Sequence, residues 1–274
     1  MADFYKGIPI IDDEPGARDL MYPPGVGRGL VPRDYELDPP EMFAPPDQMQ
    51  LIPASEWDAR FDEQEATQSS LEHLYLSGPN GTPAFEHLDQ NGFPDCWAYS
   101  TGHAIMLDRL KRSPGVVPVR LNPTGVATML RQVNGGWCGL SAKFAREHGF
   151  PEEGTGPGQW PKLSRRGQDT PELRAAMARN RVEEDWTDLT RPVHSQNLTE
   201  AQSATCSFNN IPGPEDFNHW AHSVCRIRHV RIERGSWGKL ILNSWKGWGR
   251  FGLGVLRGSK MPCDGGLAIR RTTT

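Results

Sequence analysis

The stretch 89-DQNGFPDCWAYSTGHA-104 decides how the rest of the chain is read. Asp95 can cap a helix, and Trp97, Thr101, Ala104, Ile105 and Leu110 keep mostly to helical spacing, which predicts a helix from Asp95 to about Arg112. A cysteine in the first turn of a helix lies at the partial positive end of the helix dipole, which favours thiolate over thiol. Cys96 therefore sits where a nucleophile would, whereas a Cys-Trp pair alone in an apolar helix is more often core packing. The decision rests on what the remaining sequence offers this thiol as partners.

Acyl transfer by a cysteine needs an imidazole to take the proton, a group to orient the ring, and donors for the developing oxyanion. Gln90, on the loop entering the helix, can present its amide beside the Cys96 backbone N–H. His222 opens the strand-like run HSVCRIRHVRIE, and Asn243 closes the next one, GKLILNSW, so a hairpin would bring them side by side. His219 is a competing base three residues earlier. His103 and His148 read as ordinary helix residues.

Further helices are predicted at LNPTGVATMLRQ, with Asn122 as cap and Pro123 in the first position, at LSAKFAREHG ending on Gly149, and at PELRAAMARNR. Strand-like runs fill the last third of the chain. Helices early and strands late predict an α+β fold with two packed lobes. Residues 1–50 carry many prolines and no sustained period, and read as an extended arm that depends on a neighbour for order; residues 51–274 form the globular domain.

The blocks DQNGFPDCWAYS, VNGGWCGLSAKFAREHG, HSV and ILNSWKGWGRFG, in this order, resemble the signature segments of the papain-like cysteine peptidases, and IPASEWDAR resembles the opening of the mature enzymes. The chain resembles a divergent member, of viral, phage or bacterial type, over roughly residues 51–270. The resemblance implies a helical lobe carrying the cysteine helix and an antiparallel β-barrel lobe carrying histidine and asparagine, with the active site between them. By position it implies Cys96 as nucleophile, His222 as base and acid, Asn243 as orienting group, Gln90 as oxyanion donor, and Trp245 as a shield over the His–Asn bond. Gly135 and Gly136 would pair with an extended peptide substrate, and Trp137 and Cys138 would line a pocket beyond them.

The chain also departs from the family. Phe93 and Val133 stand where the family has a disulfide, which predicts an apolar contact in its place. Asp95 stands where the family has a small neutral residue; a carboxylate there opposes a thiolate unless it caps the helix and points away. MPCDGGLAI resembles a late disulfide segment, so a Cys206–Cys263 pair is one implication.

Five cysteines without a C-x-x-C suggest neither a disulfide framework nor a zinc cluster, and the chemistry requires no metal or cofactor. A net charge of −4 without a basic stripe argues against nucleic acid, and RIRHVRIER reads as the solvated face of a strand. No apolar run reaches the ~20 residues of a membrane span, and no leader is apparent, so a cytoplasmic location or one within a larger assembly such as a virion is expected. Trp220, Trp237, Trp245 and Trp248 read as core and groove residues, and Asn80 and Asn197 as loop residues. The expected activity is cleavage of peptide bonds through an acyl-enzyme on Cys96, with a peptide or protein substrate in the groove. Two alternatives stand beside it: a structural or assembly protein whose arm binds neighbouring subunits, and a deamidase or transamidase using the same triad.

Overall fold

The computed structural model describes residues 4–11, 23–34, 36, 50–183, 187–188, 200–233, 236–257 and 264–273. Two short strands, β1 (Phe4–Tyr5) and β2 (Ile8–Ile11), precede helices α1 (Trp57–Thr67), α2 (Leu71–Tyr75), α3 (Cys96–Arg112), α4 (Pro123–Met129) and α5 (Cys138–Glu147). The small parallel pair β3 (Glu152–Glu153) and β4 (Gln159–Trp160) leads to α6 (Pro171–Met177), β5 (Thr187–Asp188) and α7 (Glu200–Phe208). The chain continues through β6 (Gly213–Phe217), β7 (His222–Glu233), β8 (Ser236–Leu242), β9 (Leu253–Arg257) and β10 (Gly265–Ala268). The predicted α+β order is the observed one.

Local chemistry explains the helix ends. The Asn122 side chain accepts a hydrogen bond from Gly125 N at 3.1 Å and Pro123 fills the first helical position, where its missing N–H costs nothing. Gly149, at φ +82°, turns the chain out of α5 in the left-handed conformation glycine adopts freely.

One eight-stranded sheet runs β1-β2-β9-β8-β7-β6-β10-β5, antiparallel except for the β2–β9 pair. α3 packs on it: Trp97, Ile105 and Leu107 share one hydrophobic cluster with Ile227, Val230 and Leu240. The N-terminal region is more ordered than its prolines predict. Ile8, Ile10 and Ile11 are buried, and Ile10 and Ile11 pair with Val255 and Leu256 on the free edge of β9. Pro9 falls opposite Phe4, away from the β9 ladder, so its missing N–H does not stop the strand.

The basic run RIRHVRIER is not a solvated strand face. Arg226, Arg228 and His229 are all buried, because β7 is covered by α3 on one side and by α1 and α7 elsewhere along its length. Their charges are met by carboxylates distant in sequence: Arg226 pairs with Glu215 at 2.8 Å, and Arg228 with Glu72 at 2.9 Å and Glu65 at 3.0 Å. Lys239 on β8 also reaches Glu215, at 3.1 Å, and the Ser203 hydroxyl donates to the same carboxylate at 2.7 Å. Among the described basic residues of the run, Arg231 at the strand's far end is the one not fully buried, and it pairs with Asp58 and Asp62.

Removing Glu215 would leave Arg226 without its carboxylate inside the protein. Glu215→Ala is expected to lower unfolding free energy by about 3–5 kcal/mol, measured in urea. Burial alone would push the Glu215 carboxyl up, but Lys239, Arg226 and the Ser203 hydrogen bond overcome it and hold it at about 2. Since the folded value lies below the unfolded one of about 4.5, the stabilisation is complete above that pH and is lost as pH falls toward 2. The difference between wild type and Glu215→Ala should therefore shrink over this acid range.

Candidate active site

The β7–β8 register pairs Cys225 with Leu242, and the two chains continue past that pair toward His222 on one side and Asn243, Ser244 and Trp245 on the other. His222 Nε2 lies 2.8 Å from Asn243 Oδ1. The same oxygen accepts Ser244 N–H at 2.7 Å, which identifies it as the carbonyl end of the amide. A carbonyl oxygen only accepts, so His222 Nε2 must carry the hydrogen, and in the neutral ring the lone pair is left on Nδ1. Nδ1 is buried and has no hydrogen-bond partner among the described residues. Trp245 stacks on the imidazole with centroids 4.1 Å apart. His219 is exposed and packs on Phe217, away from this pair.

α3 brings Cys96 to the start of β7. Ser100, one turn into the helix, meets Ser223 hydroxyl to hydroxyl at 2.8 Å, tying the helix to the residue after His222. The Cys96 thiol is fully buried against the backbone at Ser223, Gly29 and Trp97. Gln90 is fixed from the other side: its Oε1 accepts from Ser244 Oγ, and its backbone N–H donates to Ser244 O at 2.9 Å. Gln90, His222, Asn243 and Trp245 thus form one cluster, and Cys96 lies against the backbone of Ser223 beside it. Gly135 and Gly136 border it; a Cβ on Gly136 would fall 2.8 Å from the Trp97 ring.

The groove is filled by the chain itself. Gln90 Nε2 donates to Gly27 O at 2.8 Å, and Trp245 Nε1 reaches the same carbonyl at 3.2 Å. Gly136 N–H donates to Gly29 O at 2.8 Å, Val31 N–H to Gly136 O at 2.9 Å, and Leu30 N–H to Ala221 O at 3.3 Å. The segment 25-GVGRG-29 crosses the site, and the glycines at 27 and 29 allow the closest approach. A Cβ on Gly27 would lie 2.2 Å from Gly92 O, and one on Gly29 1.8 Å from Pro94 O. The sequence signal was the pair of glycines at 27 and 29, hidden among the arm's prolines.

Closure sets the protonation states. Burial pushes the Cys96 thiol up to about 12, against backbone hydrogen bonds that favour the thiolate. Burial likewise pushes His222 down to about 3; the Asn243 bond opposes this and the Arg28 charge adds to it. Both groups are neutral between these limits while the arm is in place.

Cys138 heads α5, and its N–H donates to Asp216 Oδ2 at 3.0 Å; Trp137, half-buried, precedes it. Burial pushes the Asp216 carboxyl up to about 6, against hydrogen bonds from Ser223 and Cys138 and the charge of Arg33. Asp216 was not legible as a groove residue because it sits mid-strand in an otherwise ordinary run.

Asp95 stands at the cap position of α3 but makes no capping hydrogen bond. Its Oδ1 instead accepts from Arg165 Nη2 at 2.7 Å. Nor do Phe93 and Val133 reproduce the missing crosslink as an apolar contact: Val133 is 40% exposed, and the Phe93 ring carries the Arg165 guanidinium at 4.8 Å. Cys263 and Asn197 lie outside the described residues. Among those described, no cluster of metal-ligating side chains occurs and no helix is long and apolar enough to cross a membrane.

This is the fold of the papain-like cysteine proteases. Xylellain, a cysteine protease from Xylella fastidiosa, superposes with a TM-score of 0.57 at 14% identity, over 89% of this chain and 96% of xylellain. Digestive procathepsin L2 from Tenebrio molitor larval midgut gives 0.61 at 15% identity, over 96% of this chain and 81% of that one. Procathepsin L 3 from the same insect gives 0.52 at 15% identity, over 78% and 86%. No protein-family model and no curated protein matches the sequence.

Proposed function

We propose that this protein is a cysteine-type peptidase and that residues 23–33 hold it latent. The observation that carries this is the His222 tautomer: Asn243 fixes hydrogen on Nε2 and leaves the lone pair on Nδ1, while the helix-start thiol of Cys96 lies against the backbone of Ser223, the next residue. With the arm displaced, Nδ1 takes the proton of Cys96 as sulfur attacks the substrate carbonyl. The carbonyl electrons move onto oxygen, which Gln90 Nε2–H and the Cys96 N–H stabilise. Collapse of that adduct breaks the C–N bond, and the departing amine takes the proton from Nδ1. Water, deprotonated by Nδ1, then attacks the thioester, releasing the acid and regenerating the thiol.

The arm supports latency because it occupies the groups this chemistry needs. Gly27 O takes the Gln90 hydrogen that an oxyanion would take, and Gly29 and Val31 use the backbone of Gly136. An extended peptide substrate would add to Gly136 in the same manner.

Displacing residues 23–33 from the site in the full chain, by Gly27→Val together with Gly29→Val, is expected to raise peptide cleavage by about a hundredfold, the ratio expected of a closed state favoured by roughly 3 kcal/mol. New amino termini, counted by mass spectrometry against released ammonia, separate peptidase from deamidase or transamidase. If the substituted chain stays inactive and an oligomer dissociates, the arm is an assembly element.

A further inference from the structure

We propose that Arg165 is a positioning residue for the nucleophile: by pairing with Asp95 and stacking on Phe93, it cancels the charge beside Cys96 and fixes the turn entering α3. This rests on Cys96 being the nucleophile. The starting observation is a contradiction within the site. A buried carboxylate is bonded through the main chain to a thiol that must ionise, and no side-chain capping bond draws it away.

The resolution lies in the loop between β4 and α6, which has no part in the triad. Arg165 Nη2 meets Asp95 Oδ1 at 2.7 Å, and the flat guanidinium lies over the Phe93 ring at 4.8 Å. One side chain thus grips the residues on both sides of Pro94. Its Nη1 reaches Thr128 Oγ1 at 3.5 Å, on α4. The loop is itself anchored, since buried Trp160 donates from Nε1 to Ser164 O at 2.8 Å and leaves no room for a side chain at Gly167.

The charge to be cancelled is real at neutral pH. Burial pushes the Asp95 carboxyl up to about 6, but Arg165 and a hydrogen bond from Thr124 keep it from rising further. Tyr99, whose hydroxyl bonds Thr124 at 2.9 Å, is the other titratable group beside it. Around Cys96 itself the charged neighbour is Asp216 of β6, which also opposes the thiolate. An unscreened Asp95 would add a second negative charge in a site already carrying one. A planar guanidinium held on an aromatic face supplies the compensating charge that a disulfide at Phe93 and Val133 could not.

The test is a charge-neutralisation cycle in the full-length chain carrying Gly29→Val to open the groove. The rate of Cys96 alkylation by iodoacetamide is followed against pH, with the labelled peptide located by mass spectrometry. Arg165→Gln should move the midpoint of thiolate formation upward by about one to two pH units. Asp95→Asn combined with Arg165→Gln should restore the parent midpoint, and Arg165→Lys, which keeps the charge but loses the stacked fork, should shift it less than Arg165→Gln does. Loss of packing alone would not be repaired by removing a second side chain. An unchanged midpoint in Arg165→Gln, or a double variant as slow as Arg165→Gln, overturns the assignment. A parent whose Cys96 is not alkylated at any pH removes the nucleophile, and the assignment falls with it; that outcome is recognisable because it precedes any change at Arg165.

Discussion

Gly29→Val is expected to switch the full-length chain on. A side chain at position 29 would have to pass through Pro94 O, 1.8 Å from its Cβ, and Pro94 belongs to the turn that holds Cys96. That turn is pinned by the Gln90 Nε2 bonds and by Arg165, whereas the arm is held over the groove mainly by backbone hydrogen bonds to Gly136, Ala221 and Gln90. The arm is therefore what gives way. Each lost hydrogen bond costs about 1 kcal/mol net, and three or four lost together amount to an expected rise in turnover of about a hundredfold or more. Gly25→Val is the control: a Cβ there meets nothing within 4 Å, although its φ of +75° makes the turn itself strained. Its effect should be several-fold at most, and continuous assay of a fluorogenic peptide library measures both variants.

Cys96→Ala, in the opened chain, is expected to remove peptide turnover, by a factor on the order of 10⁵ or more, since members of a catalytic unit fail together. Asn243→Ala should cost less, because Nε2 can find water while losing its fixed tautomer. The fold should survive Cys96→Ala with little change. The thiol is small and makes its hydrogen bonds to backbone groups, so the variant keeps its urea midpoint while losing activity. Retained turnover in Cys96→Ala would place the chemistry elsewhere.

The parts legible in sequence are those whose cause is local. Asn122 and Pro123 announce α4, Gly149 ends α5, and the expected hairpin sets His222 beside Asn243. What escaped depends on partners far along the chain. Arg226 and Arg228 look like surface residues until Glu215, Glu72 and Glu65 arrive from other elements. Asp95 looks like a cap or a flaw until Arg165 folds onto it. The arm looks disordered because its order comes from backbone pairing with β9 and Gly136, which leaves little trace in side-chain pattern beyond spaced glycines and the IPII run.

That Cys96 is a His222-activated thiol covered by residues 23–33 of the same chain is tested most directly by the rate of covalent labelling with a thiol-directed epoxide. Labelling is compared in the full chain, the full chain opened by Gly27→Val with Gly29→Val, and that opened chain carrying His222→Ala. Rapid labelling at Cys96 is expected in the opened chain, about a hundredfold slower labelling in the unsubstituted chain, and near-complete loss with His222→Ala. Equal rates in all three proteins, or labelling confined to another cysteine, would contradict it.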